Sequence, residues 1–87
     1  MASFHARVFV TLKESVLDPQ GQAVQQTLHS LGHPDIEGVR IGKLVEMNLA
    51  ADDEGAARRQ VEDYCEQLLV NPVIETYSFE LEATQKV

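Results

Sequence analysis

The chain has no tryptophan, a single cysteine, and only 7 basic residues against 14 acidic ones among 87. Each shortage excludes something. With Cys65 alone there is no internal disulfide, which fits a reducing compartment. A formal net charge of −7 argues against wrapping nucleic acid or lying on an anionic membrane, where a basic face supplies most of the binding energy. Aromatics make up 6% of the residues, too few for base stacking on a sheet. No apolar run approaches the roughly 18–20 residues that span a bilayer. The opening stretch MASFHARVFVTL has no charged region followed by a small-residue cleavage site, so a cytoplasmic location is expected. A chain this short buries only about 60–65% of its unfolded surface, and oligomerisation is a natural remedy.

What is present reads as one small domain with an ordered core over about residues 3–82. Phe4, Ala6, Val8, Val10 and Leu12 alternate with His5, Arg7, Phe9 and Thr11, which predicts a first strand with one core face. Phe9 on the polar face is either a singly exposed aromatic or a subunit contact. Asp18 followed by Pro19 is a helix start, with Gly21 in the first turn and Val24, Leu28 and Leu31 on the expected buried stripe. Gly21 is either tolerated near a helix end or marks a close backbone approach. Gly32 and Pro34 end that helix. His29 and His33 are four apart, but Gly32 falls between them, so no metal site is expected. A second helix begins at Asp52 or Asp53, with Ala57, Val61, Tyr64 and Leu68 expected to face the sheet and Cys65 read as packing. Tyr77, Phe79 and Leu81 predict a last strand over residues 73–82, with residues 83–87 as a frayed tail.

Residues 39–49, VRIGKLVEMNL, lie between the two helices. As one strand they put Val39, Ile41, Val45, Met47 and Leu49 on one face, interrupted by Lys43. A two-residue hairpin at Gly42-Lys43 would send Val45, Met47 and Leu49 away from Val39 and Ile41. Register therefore favours one long strand bent at Gly42, with the hairpin as the alternative. The order is then β-α-β-α-β: an α+β fold related to the ferredoxin-like β-α-β-β-α-β arrangement with its central hairpin opened. Two helices are expected on one face of the sheet. An opened central strand leaves an unpaired edge, so the chain is expected to dimerise through the sheet, as a dimer or a dimer of dimers.

Little chemistry converges. There is no Gly-rich nucleotide loop, no nucleophile–base set and no metal constellation, so no catalytic, cofactor-binding or metal residue is assigned. The chain does resemble a known family. Val8, Val10, Leu12, Lys13, residues 16–21 and Ala23, then Leu31-Gly32, then Val39, Arg40, Gly42, Lys43 and Glu46 are similar to the PurS family, the small subunit of bacterial phosphoribosylformylglycinamidine (FGAM) synthase. The resemblance implies a non-catalytic accessory subunit in de novo purine synthesis. Its expected partners are a class I glutaminase subunit that releases ammonia and a large synthetase subunit. The large subunit uses ATP and magnesium, so no cofactor is expected on this chain. The family's small subunit holds the other two together and assists ammonia transfer. Lys13, Asp18, Pro19, Gln20, Gly21, Arg40, Gly42, Lys43 and Glu46 are on that basis the candidate assembly contacts. A rival of another class is a small-molecule-binding regulatory dimer of the ACT type.

Overall fold

The first strand is the axis of the molecule. In the computed structural model, which describes residues 1–84, β1 (Ala2–Leu12) lies between β2 (Gly42–Ala51) and β3 (Glu75–Thr84). Both neighbours run antiparallel to it. The alternation of β1 sends Phe4, Ala6, Val8 and Val10 to one face, where all four are buried. Register extends that row across the sheet: Val8 pairs with Val45 and Phe79, and Ala6 with Met47 and Leu81. The order β2-β1-β3 is that of a ferredoxin-like sheet lacking one edge strand, so the α+β, β-α-β-α-β architecture holds.

One helix closes the core. In α2 (Glu54–Tyr64), Asp53 is the cap, its carboxylate accepting from the amide of Ala56 at 2.7 Å. Ala57 and Val61 are fully buried against the sheet. The expected continuation through Tyr64 and Leu68 is corrected. The chain widens into a π-helical segment, Cys65–Leu69, whose extra residue per turn retards the stripe. Cys65 is fully buried and Leu69 packs on the core, whereas Tyr64 is 42% and Leu68 83% exposed. The last strand begins two residues later than expected and includes Ala83 and Thr84, paired with Phe4 and Ser3. The rest of the expected tail lies outside the described residues.

The first helix behaves differently. α1 (Pro19–Ser30) has its Pro19 at the first turn and its Asp18 cap, as expected. It ends in a full Schellman motif: Gly32, at φ +98, donates to the carbonyl of His29 and His33 donates to that of Leu28. Yet α1 packs extensively on neither the sheet nor α2. Gly21 is its only buried residue; Val24 and Leu31 on the apolar stripe are exposed. The expectation of two helices on one face therefore holds for α2 and not for α1 within one protomer. The chain measures 52 × 31 × 14 Å, with a radius of gyration of 16.8 Å. A compact chain of this length would have about 12 Å. α1 is an arm. Among the described residues no helix is long and apolar enough to cross a membrane.

The middle stretch is also sharpened. There is no hairpin at Gly42-Lys43; β2 is one strand with Val45, Met47 and Leu49 on the core face. It starts at Gly42, however, so Val39 and Ile41 do not continue its row. Their amides are drawn into bonds with α1 and its cap instead, Val39 to Gln25 and Ile41 to Asp18.

Candidate assembly site

Seven of the nine candidate contacts lie in or directly beside the two chain segments that join α1 to the sheet: Lys13 and Asp18 on the way out, with Pro19, Gln20 and Gly21 in the first turn of α1, and Arg40 on the way back, with Gly42 at the start of β2. These segments are tied together. The Asp18 carboxylate is 5% exposed; one oxygen accepts from the amide of Gly21 at 3.0 Å and the other from that of Ile41 at 2.7 Å. The Gly21 bond, then the Ile41 bond, hold its pKa below the ordinary carboxylate value. One terminal nitrogen of Arg40, Nη2, reaches three carbonyls of the outgoing chain: Leu12 at 3.3 Å, Lys13 at 2.8 Å and Val16 at 3.1 Å.

Both glycines are required by close backbone approach. A Cβ at Gly21 would run into the carbonyl oxygen of Val39, and one at Gly42 into that of Val10. Of the two readings of Gly21, close approach is the one the geometry supports. Further along, the Gln25 side chain accepts from the Val39 amide at 3.3 Å, and His29 Nε2 lies 2.6 Å from the carbonyl oxygen of Ile36. The returning chain thus lies along α1, and His29 is engaged there; His33 is past the helix end.

Lys13, Pro19, Gln20 and Lys43 present exposed side chains around this junction. A shallow cavity of about 270 Å³ opens beside it, lined by Asp18, Gln20, Ile41, Gly42, Lys43 and Glu75 among others. Lys43 lies opposite Val10, one pair from the end of the ladder, and because β2 starts at Gly42 it precedes the apolar row instead of interrupting it.

Glu46 belongs elsewhere, on the open face of the sheet. There His5 Nδ1 lies 2.8 Å from Asn48 Oδ1 and its Nε2 3.1 Å from Glu46 Oε1. Arg7 Nε is 3.3 Å from the same Glu46 oxygen, and its Nη1 is 3.6 Å from Glu82. The bonds to Asn48 and Glu46 raise the pKa of His5, and the bond from His5 lowers that of Glu46. Beside this cluster Phe9 pairs with Leu44, both exposed. The cluster was not foreseen: alternation puts His5 and Arg7 on a polar face, but only the register between strands 40 residues apart brings them to Glu46 and Asn48.

Chemically the site is quiet. The Asp18 carboxylate is committed to backbone amides and is no free base. The Cys65 thiol is buried, and desolvation pushes its pKa up, away from nucleophilic use. Among the described residues no three His, Cys, Asp or Glu side chains are placed to hold a metal. An open-edged sheet, a projecting arm and a hydrogen-bonded junction between them define a small elongated α+β module.

Comparison with known proteins specifies which. The family described as "PurS: Phosphoribosylformylglycinamidine (FGAM) synthase" matches residues 5–83. The chain is 51% identical to the Synechocystis FGAM synthase subunit PurS over 95% of its own length and 83% of that protein's, and 47% identical to the Bacillus subtilis subunit over 91% and 93%. Among solved structures, Thermus thermophilus PurS superposes with a TM-score of 0.85 at 38% identity, covering 95% of this chain and 99% of that one. A chain of the Thermotoga maritima PurLQS structure superposes with a TM-score of 0.83 at 30% identity, covering 97% and 100%. The chain belongs to the PurS family.

Proposed function

We propose that the chain is the small, non-catalytic subunit of an FGAM synthase acting in purine biosynthesis. In this reading it bridges a class I glutaminase and an ATP-dependent synthetase in the cytoplasm. Ammonia freed from glutamine is protonated and diluted in bulk water, so two sites that share it gain by being docked together. A scaffold can do this with shape alone, which fits a junction whose Asp18 carboxylate and Arg40 guanidinium are bound up in structural contacts. The near-full-length likeness to PurS subunits carries the reading, and the likeness to a chain of PurLQS supports a multi-subunit setting. ATP and magnesium belong to the synthetase.

The scaffold acts as a dimer. β2 leaves a ten-residue outer edge unpaired, and α1 carries its apolar residues away from its own sheet. In a complete ferredoxin-like unit the first helix packs beside the second. Opening the hairpin hands α1 to a second copy, whose edge and helix layer it covers in exchange.

Reconstitution tests the function. With synthetase and glutaminase at fixed concentration, glutamine-dependent FGAM formation should require this subunit. An equal rate in its absence would overturn the reading. Lys43→Glu is the appropriate charge reversal for weakening docking, because Arg40 is occupied in holding three carbonyls and Lys43 is exposed.

A further inference from the structure

α1 is a 12-residue helix without extensive packing on any other element, so something else must set the direction in which it leaves the sheet. Two chain segments form the neck of the arm: residues 13–18 going out and residues 39–41 coming back. The only described side-chain bonds that cross between them are made by Asp18 and Arg40. Asp18 Oδ2 accepts from the Ile41 amide on the returning segment while Oδ1 caps α1. Arg40, from the returning segment, draws in the carbonyls of Leu12, Lys13 and Val16. Gly21 and Gly42 allow the backbones to meet at either side of these bonds. Asp18, Gly21, Val39, Arg40 and Gly42, all among the family-like residues, thus serve one joint.

We propose that Asp18 and Arg40 are positioning residues for the enzyme complex: they lock the neck of α1 at one angle, and that angle aligns the assembled subunits for ammonia transfer. The inference rests on the bridging role above. A buried carboxylate suits the task. Both oxygens accept from amides that point at them from different segments, a geometry that a neutral amide cannot reproduce. The guanidinium grips three carbonyls at the end of β1 and in the turn after it, adding to the single backbone bond, Val16 amide to Lys13 carbonyl, that closes this turn. Without these bonds the arm stays attached at both ends but swings, and the loss falls on transfer between subunits, not on synthesis itself.

The test compares wild type with Asp18→Asn and Arg40→Met in full-length protein and in the reconstituted complex. Asp18→Asn presents an NH2 to one of two amides; Arg40→Met keeps the apolar stem and removes the donor. Amide exchange at Gly21 and Ile41 should accelerate about tenfold or more, the factor for one charge-assisted hydrogen bond, while Ala6 and Val8 in β1 stay protected. The glutamine-dependent rate should fall about tenfold or more, since small misplacements are costly, while the rate supported by added ammonium salt stays at the wild-type level. Unchanged local exchange, or freed amides with an unchanged glutamine-dependent rate, would overturn the proposal. So would loss of protection throughout β1 in both variants, which would make the pair determinants of the whole fold. Omitting the subunit separates the two readings. If omission has no effect, the bridging role fails; if omission abolishes glutamine use and the variants do not reduce it, the lock fails alone.

Discussion

At the scale of single residues, backbone proximity reverses the ordinary meaning of glycine in a helix. Replacing a helical glycine with alanine usually gains up to about 1 kcal/mol. That gain is expected at Gly55, in the first turn of α2, where a Cβ comes no closer than 3.4 Å to Asp53 Oδ1. At Gly21 the sign changes, because Cβ would displace the Val39 carbonyl; Gly21→Ala should lose about 1–3 kcal/mol. Urea unfolding of both variants checks the contrast, and equal effects would show that the close approach at Gly21 relaxes freely. From the sequence, Gly21 had two readings of similar standing. The atom that decides between them belongs to a residue 18 positions away.

At the scale of elements, two features have measurable consequences. The π-helical segment makes Leu69, not Leu68, the residue that joins the core. Leu69→Ala should cost about 1–2 kcal/mol within the protomer, less than a fully buried leucine because Leu69 is half-buried. Leu68→Ala should change protomer stability by under about 0.5 kcal/mol. Unfolding at a protein concentration too low for association separates them. The second feature is the His5–Glu46 bond across β1 and β2. The pKa of His5 is raised above its ordinary 6.5, so its contribution to stability is full below that value and is lost as pH rises through the higher folded value. That of Glu46 is lowered from 4.5, so its contribution is present above that value and is lost as pH falls through the lower folded one. The pair is therefore strongest between these two ordinary values. Stability measured from about pH 6 to 8 should decline more in wild type than in His5→Gln. Identical slopes would mean that the His5 bond does not contribute.

At the scale of the whole molecule, elongation is the dominant fact. A radius of gyration of 16.8 Å leaves the apolar stripe of α1 uncovered by its own sheet, which is why a second copy is invoked. Val24→Asp adds charge at a residue that is already 40% exposed in the protomer, so the protomer should remain folded. Sedimentation should show it shifted from dimer toward monomer, and wild-type stability should rise with protein concentration while that of the variant does not. A variant that sediments as wild type would place the dimer contact away from α1.

Local pattern was enough for much of this architecture. Alternation along residues 4–12 and 39–49 assigned the core faces except at Val39 and Ile41, caps at Asp18 and at Asp52 or Asp53 and the Gly32 terminus bounded the helices, and register favoured one strand over the hairpin, because these are properties of neighbours in the chain. The family was also legible there, above all in residues 16–21 and in Val39, Arg40, Gly42, Lys43 and Glu46. What those residues do was not. The bonds from Asp18 to Ile41 and from Arg40 to Leu12, Lys13 and Val16 span 23 to 28 positions, and the His5–Glu46 bond spans 41. The destination of α1 was equally hidden: an apolar stripe shows that a helix seeks a partner, and says nothing about which chain supplies it. Only folding brings distant backbone groups into contact, and here it ties together two segments that carry family-like residues.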